Sequence, residues 1–141
     1  MYATGRAAAA LVAGSVLLSG CSVLGLAPET HQSVVEACAT FDNKKLAAAG
    51  KTLEKAATGS VSPKAAGSAI DSFTKVFEDR IDEVENPDVQ LRAQLASISM
   101  RNFGAELRTF KPTQRHRDAL KADFAELKRQ LTKLSKLCEW A

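Results

Sequence analysis

The sequence predicts an all-α protein, a four-helix up-down-up-down bundle. Three observations predict it. Alanine is abundant and the long, straight side chains are frequent, and both are strong helix formers. Apolar residues recur at steps of three and four, while no strand-like alternation of any length competes. The four prolines, Pro28, Pro63, Pro87 and Pro112, each stand where a helix would begin. Proline is tolerated in a first turn and breaks a helix interior.

The first helix, over about 30–57, is the least regular, with Val34, Cys38, Phe41, Leu46 and Leu53 among alanines. Gly50 is placed to weaken or kink it. The second, over about 63–85, opens with Ser62 as cap and Pro63 as first residue. It carries Ile70, Phe73, Phe77, Ile81 and Val84 on one stripe. The third, over about 88–110, opens with Asn86-Pro87 and carries Leu91, Leu95, Ile98, Phe103, Leu107 and Phe110. The last, over about 113–139, has Thr113 as its cap. Its residues Leu120, Phe124, Leu127, Leu131, Leu134 and Cys138 step by 4, 3, 4, 3 and 4 among charged neighbours. Four helices with one apolar stripe each must bury those stripes together, and short connections make sequence neighbours antiparallel.

Ahead of the helices runs an apolar stretch that begins after Arg6, with Ala7 to Leu18 as its strongest part. Residues 7–27 contain no charge, enough for an uncleaved span of about 20 residues. Three glycines and three serines weaken that alternative, and plain secretory cleavage is a further one. The run ends in Leu18-Ser19-Gly20-Cys21. These four residues resemble the lipobox of bacterial lipoprotein precursors. The resemblance implies diacylglyceryl transfer to the Cys21 thiol and cleavage before it. Residues 1–20 are then the signal peptide, 21–29 a lipidated tether and 30–141 the helical domain. It also implies an extracytoplasmic chain anchored to a membrane by acyl chains such as palmitate. In a Gram-negative cell Ser22 implies sorting to the outer membrane; in a Gram-positive cell the chain stays on the outer face of the plasma membrane.

With Cys21 taken by lipid, Cys38 and Cys138 are left as an even pair in an exported protein, where disulfides persist. Two buried thiols are the alternative. The bundle topology favours the bond. Cys38 lies in an early turn of the first helix and Cys138 in the last turn of the fourth, so the two meet at one end of the core.

Removing residues 1–20 removes one charge, Arg6, and leaves 18 basic against 16 acidic residues. That balance argues against nucleic acid, which wants a basic stripe. Neither His31 nor His116 has a metal-ligand partner at helical spacing, and no Gly-rich loop, nucleophile elbow or Glu-x-x-His pair is present. No catalytic or metal residue, and no cofactor, is expected; the chain does not read as an enzyme.

Two charge clusters stand out. Glu78, Asp79, Asp82, Glu83, Glu85 and Asp88 crowd the end of the second helix, with like-charge pairs at i,i+4. Arg108, Lys111, Arg115 and Arg117 surround the turn between the third and fourth helices, away from the lipid. That basic tip is a candidate binding site for an envelope protein or an anionic wall polymer. A solvated, charge-rich loop is its simpler reading.

The expected function is a non-enzymatic binding or structural module of the cell envelope. A surface inhibitor or phage-type exclusion lipoprotein is one alternative. A carrier of a small apolar ligand within the bundle is another. A large exposed apolar patch would favour the first two. An internal cavity among Phe73, Phe77, Phe103 and Phe124 would favour the carrier.

Overall fold

The computed structural model describes residues 32–59 and 61–139. The expected signal peptide 1–20, the lipidation site Cys21, the tether 21–29 and Trp140 lie outside the described residues. The described chain is helical: α1 (Val34–Ala39), α2 (Lys44–Thr58), α3 (Pro63–Ile81), α4 (Pro87–Arg108) and α5 (Gln114–Cys138). No strand occurs among the described residues, and no helix there is long and apolar enough to cross a membrane.

The caps follow the sequence closely. Ser62, Asn86 and Thr113 each accept backbone N–H bonds from the first turn of α3, α4 and α5, and Pro63 and Pro87 sit in those first turns. The expected first helix is instead two. Ser33 and Glu36 form a capping box that starts the six-residue α1, and Asn43 caps a new helix through Lys45 N–H. The break lets Phe41 turn inward and stack on Phe77, with ring centroids 4.9 Å apart. The break between α1 and α2 leaves α2 free to take its own direction and run alongside α3.

The expected second helix ends at Ile81, four residues early. The carboxylates of Asp82 and Glu83 oppose the helix dipole there. Val84 folds back into the core, and Gln32 accepts the N–H groups of Glu85 (2.7 Å) and Asn86 (3.1 Å). Gln32 thereby ties the start of the described chain to the α3–α4 turn.

Each long helix packs against the next in sequence. Gly50 faces Phe73 across α2 and α3, Glu78 meets Ser97 and Arg101 across α3 and α4, and Phe103 meets Phe124 across α4 and α5. The stripe expected on the third helix is misplaced in its first half, while Phe103 and Leu107 do pack on the core. Leu91 and Ile98 are about half exposed, while Val89, Ala93, Ala96, Ser97, Met100 and Gly104 are buried. The reason is a close crossing. A Cβ on Gly67 would lie 2.7 Å from the Gly104 carbonyl oxygen, and one on Gly104 would lie 3.3 Å from Ile70. Only small side chains let α3 and α4 approach this far, so the small-residue face of α4 turns inward.

Cys38 and Cys138 stand at disulfide-bonding distance with Cα atoms 5.6 Å apart, inside the usual range of 4.4–6.8 Å. They clamp α1 to the end of α5, which closes on Glu139 in the left-handed conformation at φ 54°.

Candidate functional site

α2 and α5 do not meet: no residue pair between them has Cα atoms within 8 Å. Between them lies an apolar groove of about 1100 Å³. Its floor is the inner face of α3 and α4, with Ile70, Phe77 and Met100 almost wholly covered. Leu46 and Leu53 of α2 form one wall. Phe124, Leu127, Leu131 and Leu134 of α5 form the other. Phe73 and Phe103 stand between floor and walls, and Leu107 and Val61 close one end. Aromatic contacts stiffen the lining: Phe73 and Phe77 stack at 6.3 Å, and Phe103 and Phe124 tilt together at 5.5 Å.

The four phenylalanines whose enclosure would mark a carrier, Phe73, Phe77, Phe103 and Phe124, all line this groove. The groove is open along one side rather than sealed. Two members of the expected α5 stripe record the opening: Phe124 is 54% and Leu131 38% exposed, while Leu127 and Leu134 on the α4 side are buried. Two of the six stripe residues are therefore left partly uncovered. Among the lining residues Asp42 alone is charged, at the turn between α1 and α2.

The expected basic tip is assembled only in part. Arg108 pairs with Asp71 of α3, and its aliphatic stem lies against Gly67. Arg117 donates to the Pro112 carbonyl and to Gln114, both at 3.0 Å. His116 Nδ1 lies 2.9 Å from Glu106, and its ring meets Phe110 edge-on. Lys111 and Arg115 are exposed and make no ion pair among the described residues. Arg108 thus ties α4 to α3, while Arg117 braces the start of its own helix. Cys38 and Cys138, by contrast, stand together.

The acidic cluster is partly neutralised. Glu78 accepts from Ser97 and pairs with Arg101 at 3.1 Å, and Glu83 pairs with Arg80 at 2.7 Å. No group of three or more His, Cys, Asp or Glu side chains among the described residues is placed to hold a metal ion. Shifted carboxyls lie outside the groove. Glu36 is held below the usual carboxylate range by the Ser33 N–H and hydroxyl, and Glu126 by hydrogen bonds from Arg129 and Gln130.

No protein-family model, curated protein or solved structure matches this chain.

Sequence reading placed the groove's phenylalanines on inward stripes but did not show that two helices would leave a gap. One signal was available. The small residues Ala93, Ala96 and Gly104, with Met100 between them, keep their own three-and-four spacing on α4. Read as a core face, they demand a close α3–α4 pair.

Proposed function

We propose that the chain is a membrane-anchored, extracytoplasmic lipoprotein that acts without catalysis, binding a small apolar ligand within a helical bundle. The bundle reading is up-down-up-down over α2 to α5, parted between its first and last members. One observation carries the ligand: the apolar groove flanked by Phe73, Phe77, Phe103 and Phe124, with Phe124 and Leu131 left open to the outside. Exposing large apolar side chains along a groove costs about 25 cal/mol for each Å² that an occupant would otherwise cover. An elongated apolar molecule removes that cost, and pockets of 300–1,000 Å³ are the ordinary size for such ligands. Anchoring rests on Leu18-Ser19-Gly20-Cys21.

The test uses the full chain in host membranes and a photoreactive, uncharged, long-chain methyl ester. It should label groove residues in the wild type. Phe124→Glu with Leu131→Glu should abolish labelling and leave helicity unchanged, because both side chains are already exposed. Failure of the groove to be labelled by this ester and by the corresponding free acid alike would remove the carrier reading. Cys21→Ala should abolish lipid attachment and leave unprocessed precursor; normal processing would remove the anchor.

A further inference from the structure

We propose that the occupant of the groove is an anionic acyl-chain amphiphile, its carboxylate drawn to the α5 lip that Lys128 and Lys136 make positive. This rests on the reading of the groove as a carrier site and adds the chemistry of its ligand.

Charge complementarity carries the inference. α2 has four lysines against the single acid Glu54. α5 has seven arginines and lysines against Asp118, Asp123 and Glu126. α3 is balanced, with three charges of each sign, and α4 has three arginines against Asp88 and Glu106. In a chain whose net charge is only +3, the positive excess therefore collects on the two helices that border the opening. A field of one sign at the mouth of a low-dielectric cleft concentrates ligands of the other sign.

A second depression continues the groove over the edge of α5. It shares Phe124, Leu127, Leu131 and Ser135 with the groove and adds Lys128, Thr132 and Lys136. The apolar surface thus ends at two ammonium groups. Neither lysine makes an ion pair among the described residues. A lysine lays its carbon stem along apolar surface and keeps its charge at the water boundary, which suits the junction of a chain with its head group.

Dimensions favour an acyl chain over a partner helix. Leu46 to Ala57 on α2, and Phe124 to Ser135 on α5, each span about 17 Å at 1.5 Å per residue. Half the hydrocarbon core of a bilayer is about 15 Å, so a membrane-length chain lies along the groove. The groove's volume divided by that length gives a mean cross-section of about 65 Å², below the roughly 80–110 Å² of a helix and ample for an acyl chain. An α-helix with its side chains is 10–12 Å across and would need α2 pushed away from α5.

The test photolabels the full chain in host membranes with a diazirine-bearing long-chain fatty acid and, in parallel, its methyl ester. The acid should label groove residues such as Phe73, Phe103 and Leu131. In the Lys128→Glu, Lys136→Glu double variant the acid-to-ester yield should fall by roughly tenfold, the effect of turning two exposed attractions into repulsions. The ester yield should change much less than the acid yield. Equal labelling by acid and ester in the wild type overturns the inference and leaves the carrier reading standing. Labelling by neither probe removes the carrier reading and the inference with it. A preference for the acid that survives in the double variant overturns the placement of the carboxylate. Crosslinking of the groove to a protein segment that excludes both probes overturns the inference in favour of a helical partner.

Discussion

Two glycines in the middle of helices should respond to the same substitution with opposite signs. Gly67→Ala and Gly50→Ala each gain about 0.8–1 kcal/mol of helix propensity. At Gly50 the new Cβ meets only Phe73, at 3.7 Å, an ordinary contact. The propensity gain should therefore appear almost whole. At Gly67 the new Cβ lies 2.7 Å from the Gly104 carbonyl oxygen and 3.1 Å from the Arg108 nitrogen, both backbone atoms. Backbone atoms of a packed helix cannot step aside cheaply, and overpacking costs about 1–3 kcal/mol. The same Cβ lies 2.8 Å from Arg108 Cγ and so displaces the side chain that pairs with Asp71. The net expectation is a loss of about 1 kcal/mol at Gly67 and a gain of about 0.8 kcal/mol at Gly50. For a domain near 100 residues the two variants should melt about 10 °C apart. Urea unfolding followed by circular dichroism measures both, with unchanged slopes showing that stability alone has moved. A Gly67→Ala variant as stable as wild type would refute the close crossing of α3 and α4. The inward turn of the small face of α4 would then lose its explanation.

Joining Cys38 to Cys138 closes a span of 100 residues, so reduction should remove about 4–5 kcal/mol in the chain-entropy account while helicity persists. Two titratable thiols in the unreduced protein would show the bond to be absent. At α1, Glu36 has its carboxyl lowered from 4.5 by the Ser33 N–H, so its folded value lies below its unfolded one. The capping box then stabilises fully above pH 4.5 and loses that contribution as pH falls through the lowered folded value. Glu36→Gln should flatten this acid-side dependence, and a Glu36 titration midpoint at or above 4.5 by NMR would refute it.

The sequence by itself determined the starts of α3, α4 and α5, because those are local matters. Ser62-Pro63, Asn86-Pro87 and Thr113 satisfy first-turn N–H groups with their own side chains and need nothing distant. It also determined that Cys38 and Cys138 would reach one end of the molecule, since an antiparallel run of helices leaves little choice. The tertiary structure decided the rest. The direction α2 takes after the Asn43 cap goes with Phe41 stacking on Phe77, a contact thirty-six residues away. Which face of α4 is buried depends on how closely α3 can approach, and apolar periodicity alone favoured the larger Leu91 and Ile98. Whether the stripe of α5 is buried depends on α2 coming alongside. Periodicity marks Phe124 and Leu131 as apolar stripe positions, but it carries no information about whether another helix arrives to cover them. The groove exists because α3 and α4 pack closely through glycine and alanine while α2 and α5 stand apart.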